Sequence, residues 1–346
     1  MTDETTAFSA AGMPRPPLGR RLWASPITRI MAFVGLALLF LTGIGLLAKA
    51  ALMLIAGYSP LSDEATTTLG YACAAAATLL AYIVMVRRAD RRSLESAGLI
   101  ARGLFSETGI GLLIGGGVFS AVMGMMRAIG VYHIAAVNPH FHPLVPLALF
   151  LFLAVFQEVA VRGYIFQTLE RRWGTGIALA GSTVFFGLAH LGSPVEGLTT
   201  VQWLVGPAFI SVETGLLFTA AYLLTRRLWL PIGIHWGWNF FESSIYGAAN
   251  TGSWGNAPNT LFSDRFIGPF LLTGGPFGPE VRLGRDPWLR EDGEQRRRGA
   301  RRRKCAEPVD ARKPRRPGNF SGLTRRISRR ASGDRSRVRP LPHPGF

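Results

Sequence analysis

The sequence predicts an all-α fold, a polytopic transmembrane helix bundle of about seven to eight spans followed by a disordered basic tail. Three observations lead to this prediction. Hydrophobic residues make up 48% of the 346 residues and charged residues only 17%, whereas soluble domains carry about 25% charged residues. Apolar stretches of about 20 residues, the length that crosses a bilayer, recur through the first 275 residues. Most of the net positive charge lies beyond them.

Seven apolar stretches are long enough, or nearly so, to span a membrane. A shorter apolar piece at about 261–273 is interpreted as an interfacial or partial span. The high glycine and alanine content of the stretches suits close helix packing in lipid. We therefore assign residues 30–275 to one transmembrane helical domain. Its seven stretches cover approximately residues 30–57, 67–86, 105–130, 143–166, 175–192, 203–224 and 228–246.

The placement of arginine predicts the orientation of the bundle. Arginines cluster before the first stretch and after the second, fourth and sixth, while the intervening loops lack Lys and Arg. Cytoplasmic loops carry an excess of these residues, so the N-terminal segment 1–29 is predicted to be cytoplasmic. The membrane is the plasma membrane if the protein is bacterial. The clusters are Arg15, Arg20, Arg21 and Arg29; Arg87, Arg88, Arg91 and Arg92; Arg171 and Arg172; Arg226 and Arg227.

Residues 281–346 differ in character from the rest of the chain. They contain 21 Lys/Arg and 7 Asp/Glu, a net charge of +14 out of +17 for the whole chain. Such a segment cannot bury enough apolar surface to offset its ordering entropy, which predicts a solvated, disordered tail. We expect no specific nucleic-acid partner. The abrupt change after Glu280 also permits the interpretation that the tail is out-of-frame sequence.

The fourth stretch contains polar side chains where lipid-facing sequence should have none. Gln157, Glu158 and Arg162 interrupt an otherwise apolar run, and ionisable groups inside a membrane are costly and tend to mark function. Glu158 and Arg162 are four residues apart, so they share a helix face and can pair. The pair is equally well interpreted as a structural ion pair or as part of a site.

Two further stretches carry isolated polar residues. His190 lies near the outer end of the fifth stretch, and His235 and Asn239 lie one helical turn apart in the seventh. A lone histidine is more often a structural hydrogen-bonding residue. The loop charges place Glu158 and His235 toward the cytoplasmic half of their spans. Trp236 and Trp238 are interpreted as membrane-interface anchors.

Together these side chains form the set that peptide hydrolysis needs. The Glu158 carboxylate can deprotonate a water. His190 and His235 can hold that water or a divalent metal such as zinc. The Asn239 amide can donate to a developing oxyanion, and Arg162 can orient and restrain the carboxylate.

Three short motifs appear in order, each inside an apolar stretch. On these motifs the sequence resembles the CAAX prenyl protease and bacteriocin-processing family of intramembrane proteases, also called CPBP or Abi. The resemblance covers about residues 143–246, the protease-like core. The family's EExxxR, FxxxH and HxxxN motifs appear as Gln157-Glu158-Val-Ala-Val-Arg162, Phe186-Gly-Leu-Ala-His190 and His235-Trp-Gly-Trp-Asn239.

The resemblance implies a bundle of mostly eight helices around a cavity open to the membrane, and endopeptidase activity on membrane-associated CAAX-like or peptide substrates. It implies that Glu158 is the base or its partner, that His190 and His235 hold the water or metal, and that Asn239 stabilises the oxyanion. Gln157 departs from the family, whose first motif Glu is thought to activate the water.

Two other functions remain open on the sequence. A non-catalytic immunity or scaffold protein of the same fold is favoured by Gln157 and by the unusual C-terminal tail. A transporter or a haem-binding bundle with axial histidines is a third interpretation. The loop histidines are interpreted as solvated; they are His133, His140 and His142.

Overall fold

The structure, a computed structural model, describes residues 23–56, 61–191, 200–248 and 259–267. The predicted tail at 281–346 and most of the N-terminal segment lie outside these residues. The described part contains seven α-helices and two strands, with π-helical turns at Met85–Ala89, Val159–Phe166 and Phe241–Ile245. The elements are α1 (Pro26–Ala56), α2 (Asp63–Val84), α3 (Leu104–Ala128), β1 (Tyr132–Val137), α4 (Leu144–Glu158), α5 (Gln167–His190), α6 (Thr200–Thr225), α7 (Trp229–Phe240) and β2 (Phe262–Phe266).

Four helical runs among the described residues are long and apolar enough to cross a membrane. Only 6% of the most apolar part of the first is buried, and α1 exposes leucines such as Leu38 and Leu47. A face of this kind is suited to lipid rather than water. The prediction of a mainly helical membrane protein is confirmed, whereas the number of seven to eight spans stays a prediction. The four runs are Pro26–Ile55, Asp63–Ala89, Leu104–Ala128 and Leu144–His190.

The longest of these runs folds back on itself at Gly174. Its backbone there has φ 83° and ψ 169°, a conformation that is essentially restricted to glycine. A side chain built at Gly181 would come within 2.9 Å of Leu169 Cδ1, although twelve residues of straight helix would separate the two by about 18 Å. The run is therefore a helical hairpin, in line with the separate fourth and fifth stretches of the sequence.

Helices α3 and α7 approach each other through glycines from both sides. A Cβ on Gly111 would lie 2.6 Å from the carbonyl oxygen of Leu230. Gly115 faces the Ile234 backbone, and Gly233 and Gly237 face the backbone of α3 in the same way. Small residues let helices pack backbone to backbone in a membrane. This interface fixes the position of α7, which carries His235.

The arginine-bearing helix ends lie together at one end of the bundle. Asp90, which follows α2, accepts hydrogen bonds of 2.8 Å from both Arg29 and Arg171. Arg226, between α6 and α7, pairs with Glu170 at 2.7 Å. These contacts agree with the alternation of charged and uncharged loops in the sequence. Which side of the membrane this end faces stays a prediction.

A two-stranded antiparallel sheet lies at the opposite end of α3. Tyr132 of β1 is opposite Phe266 of β2, and their rings pack with Phe119 and Tyr246 in one cluster. The all-α prediction therefore misses this sheet. The apolar piece at about 261–273, interpreted as a partial span, contributes the strand β2 through its residues 262–266.

Candidate active site

Glu158 lies at the centre of a buried group of polar side chains. It ends α4, is fully buried, and is followed directly by the π-helical segment Val159–Phe166. Its Oε1 accepts a hydrogen bond of 2.9 Å from Arg162 Nη1 and one of 2.8 Å from His235 Nδ1. When the carboxylate is ionised it can only accept hydrogen bonds, and the contact then assigns a hydrogen of this imidazole to Nδ1. Short π-helical segments occur frequently at functional sites.

The second oxygen of the same carboxylate is different. Glu158 Oε2 is buried and makes no hydrogen bond with any described residue. Buried carboxylate oxygens are nearly always hydrogen-bonded, because an unsatisfied one costs free energy. One oxygen of Glu158 is thus held in place by two donors, and the other retains its capacity to accept a proton.

Aromatic rings enclose the charged pair. The Phe218 ring, on α6, stacks on the His235 ring at a centroid distance of 4.5 Å and an angle of 18°. The Arg162 guanidinium carbon lies 5.3 Å from the centroid of Phe218 and 5.5 Å from that of Phe186. Cation–π contacts of this kind stabilise a desolvated cation. The rings therefore support Arg162 and set the plane of the imidazole.

The hairpin brings His190 to the level of Glu158. Each residue is sixteen positions from Gly174, one before it and one after it. At about 1.5 Å per residue both lie about 24 Å from the turn. The sequence places His190 near the outer end of its span and Glu158 in the cytoplasmic half. The structure removes this difference, because the helical run from α4 continues past the predicted end of the fourth stretch.

His190 is joined to the group through Phe186 rather than by a direct hydrogen bond. Its ring is 4.4 Å from that of Phe186, and its Nδ1 lies 2.7 Å from the Phe186 carbonyl oxygen. The Phe186 ring also contacts the His235 ring edge-to-face, with the two centroids 6.5 Å apart. The structure thus brings Glu158, Arg162 and His235 into direct contact and places His190 one ring away.

The remaining predicted residues lie on the same helices, within four positions of Glu158 or His235. Asn239 is buried one turn after His235 on α7, and Gln157 is half-buried beside Glu158. Trp236 donates from Nε1 to the Leu147 carbonyl oxygen at 2.9 Å, and the Trp238 ring packs edge-on against Phe119. The two tryptophans therefore make contacts between helices, which their interpretation as interface anchors does not include.

Two residues on the helical segments that carry the site were not singled out from the sequence. Phe218 gives no signal, because a phenylalanine in an apolar stretch is ordinary. Glu242 does give one, since it is an ionisable residue in a predicted span, seven positions after His235 and on the same helical face. The histidines interpreted as solvated loop residues, His133, His140 and His142, are exposed, but His133 lies on the strand β1 rather than in a loop.

The described part of the chain does not contain a complete metal site. In the described ranges, no three side chains of the types His, Cys, Asp and Glu are grouped closely enough to hold a metal ion. The nearest approach to a ligand set is the pair of Glu158 and His235, with His190 beyond the Phe186 ring. Zinc held by His190 and His235 therefore lacks a third protein ligand among the side chains that the structure describes. No chemical step below depends on a metal.

Comparison with known families gives a match to part of the chain. Residues 139–241 match the family model described as type II CAAX prenyl endopeptidase Rce1-like. The matched range is less than a third of the chain, and it contains all three motifs and every predicted site residue. No curated protein and no solved structure matches the chain.

Proposed function

Because residues 139–241 match the family model described as type II CAAX prenyl endopeptidase Rce1-like, we propose that the protein is an intramembrane endopeptidase. Its substrates are membrane-associated proteins or peptides with CAAX-like or other peptide sequences. The reaction is hydrolysis of a peptide bond by a water that Glu158 and the histidines activate. The bilayer gives the substrate access to the bundle.

The main support for this proposal is the unequal environment of the two Glu158 oxygens. Oε1 is fixed by Arg162 and His235, while the buried Oε2 has no hydrogen-bond partner among the residues that the structure describes. A carboxylate held in this way presents one oriented oxygen to a small polar molecule. A general base needs this combination of fixed position and free acceptor capacity.

The proposed reaction begins when a water gives a proton to Glu158 Oε2. The water oxygen forms a bond to the carbonyl carbon of the substrate, and the carbonyl oxygen becomes an oxyanion. The Asn239 amide donates a hydrogen bond to that oxyanion. The C–N bond then breaks as the proton on Glu158 passes to the departing nitrogen. Arg162 keeps the carboxylate in place throughout.

In a variant of this mechanism, His235 rather than Glu158 acts as the base. Since its Nδ1 donates to Glu158, Nε2 of the neutral ring is an acceptor. His235 then takes the proton from the water, and Glu158 orients the ring as its partner. The arrangement also resembles the carboxylate–histidine pairs that orient metal ligands, so zinc at His235 and His190 remains a proposal for elemental analysis of the purified protein.

The proposal is tested with purified protein in proteoliposomes and a panel of membrane-associated peptides that includes prenylated CAAX peptides. We expect Glu158→Gln, His190→Ala and His235→Ala each to abolish cleavage without lowering the yield of folded protein. Glu95→Gln and His140→Ala make the same chemical changes at exposed positions and should leave cleavage intact. Full activity in all three site variants would end the proposal.

A non-catalytic immunity or scaffold function is the other outcome of this experiment. Its support is Gln157, which replaces the first acidic residue of the family motif. In that case the wild-type protein cleaves none of the peptides, Glu158→Gln leaves the cellular phenotype intact, and a partner protein co-purifies.

A further inference from the structure

A cavity of about 200 Å³ opens at the arginine-bearing end of the bundle, away from Glu158. Liquid water occupies about 30 Å³ per molecule, so the cavity has room for a group the size of a phosphate. Three separate parts of the chain contribute to its wall: the segment after α2, the first turns of α5, and the end of α6. The side chains that matter here are Arg92, Ser96, Glu170, Arg171, Tyr222 and Arg226.

The wall of this cavity carries an excess of positive charge. Three guanidinium groups face a single carboxylate, that of Glu170, which pairs with Arg226 at 2.7 Å. Arg171 pairs with Asp90 outside the cavity, but Asp90 is also bound to Arg29. The three arginines and Glu170 give an excess of two positive charges. Counting Asp90 and Arg29 as well leaves this excess unchanged.

Arg92 is the cation for which the described residues offer only neutral partners. Its Nη1 donates to Gln167 Oε1 at 3.0 Å, and its Nη2 donates to the Ser96 carbonyl oxygen. Gln167 is itself fixed, because its Nε2 donates to the Ala97 carbonyl oxygen at 2.9 Å. In the described part of the chain, no carboxylate forms an ion pair with Arg92. The guanidinium is therefore fixed in position by neutral hydrogen-bond acceptors, and none of these contacts neutralises its charge.

The surroundings of the cavity are those of a membrane surface. Trp173, exposed, and Trp229, which donates to the Ile100 carbonyl oxygen at 2.6 Å, lie at the same helix ends. Tryptophans of this kind mark the level of lipid headgroups. Basic pockets between transmembrane helices at this level suit anionic headgroups, and guanidinium groups bind phosphate through paired hydrogen bonds.

We propose that this cavity binds a phosphate group, carried by the headgroup of an anionic phospholipid or by a soluble phosphate compound. Arg92 supplies the central guanidinium, and Arg171 and Arg226 complete the positive wall. The bound phosphate bridges the segment after α2 to α5 and α6. The site is separate from the Glu158 group and does not depend on peptidase activity.

The test measures the thermal unfolding midpoint of the full chain in a neutral detergent. Dioleoyl phosphatidylglycerol, dioleoyl phosphatidylcholine and inorganic phosphate are titrated separately at constant ionic strength. We expect phosphatidylglycerol to raise the midpoint in a saturable way and phosphatidylcholine to leave it unchanged. A matching rise with inorganic phosphate identifies a soluble phosphate compound as the source and still supports the site.

Matched variants assign any rise to the cavity. Ser96 is exposed, so Ser96→Asp and Ser96→Asn should both fold, and only the first adds a negative charge beside Arg92. We expect Ser96→Asp to weaken the apparent affinity about fivefold relative to Ser96→Asn. Arg92→Gln should remove the rise, and Arg88→Gln, which removes an exposed arginine outside the cavity, should keep it. The proposal is overturned if neither phosphatidylglycerol nor inorganic phosphate raises the unfolding midpoint. It is also overturned if Arg88→Gln and Arg92→Gln reduce that rise equally.

Discussion

Glu158 and His235 lie on different helices and are joined by a hydrogen bond of 2.8 Å from Nδ1 to Oε1. Both side chains are buried, and the same Oε1 also binds Arg162. The carboxylate, the imidazole and the guanidinium therefore form one unit. Within it, the positive charge of Arg162 compensates the negative charge of Glu158. The effects of changing them singly and together should differ.

Arg162→Met should destabilise the protein by about 3–5 kcal/mol, because it leaves a buried carboxylate without its cation. The double variant Arg162→Met with Glu158→Gln should recover much of this loss, since the buried charge is then absent. Unfolding in a fixed detergent measures both. Arg172→Met, at an exposed position, is the control. A wild-type stability for Arg162→Met would show that the ion pair does not hold the helix in place.

Gln157→Glu tests which position of the motif carries the base. Glu158, not Gln157, contacts His235, and neighbouring residues on a helix point about 100° apart. We therefore expect the wild-type protein to be active and Gln157→Glu to change kcat by less than about tenfold, while Glu158→Gln lowers it by about 10²–10⁴-fold, the usual contribution of a general base. Activity that appears only in Gln157→Glu would instead assign the base to position 157.

The glycine contact between α3 and α7 gives a prediction about positioning. Gly115→Ala places a methyl group against the Ile234 backbone, whereas Gly117→Ala on the same helix meets nothing within 4 Å. We expect the first to cost about 1–3 kcal/mol of stability and to lower kcat, because it moves the helix that carries His235. Gly117→Ala should leave kcat unchanged and should be neutral or slightly stabilising, because alanine favours the helix. Equal behaviour of the two variants would mean that α7 is positioned by other contacts.

The requirement for glycine at the Gly174 turn can be tested with Gly176, two residues further along, as the control. Gly174 and Gly176 both have open space around them, but only Gly174 has a positive φ. Gly174→Ala should cost about 1–3 kcal/mol through backbone strain, and Gly176→Ala should be neutral or slightly stabilising. Thermal unfolding in detergent separates the two. A neutral Gly174→Ala would show that the turn tolerates another conformation.

Much of this architecture follows from the sequence because lipid imposes simple rules. Apolar length gives the helices, and arginine placement gives the helix ends that lie together, as the Arg171–Asp90 pair shows. The motif spacing gives the residues of the site, since four positions on a helix place Glu158 beside Arg162. These features depend on local periodicity and on charge, which a single sequence displays.

Other features depend on contacts between distant segments, and no local pattern displays those. Phe218 stacks on His235, yet it resembles every other phenylalanine in an apolar stretch. The pairing of β1 with β2 joins segments about 130 residues apart, so the sheet could not be read from either segment alone. The depth of His190 depended on where the preceding helix ends, which apolar length does not determine.

The turn at Gly174 makes the spacing between two motifs a structural length. Glu158 and His190 are at one level because the chain has equally many residues on each side of the turn. Removing one residue from one arm would shift its side chains by about 1.5 Å and rotate them by about 100°. Removing one from each arm would keep the level but turn both faces away. The number of residues between the motifs is therefore as much a part of the site as the side chains themselves.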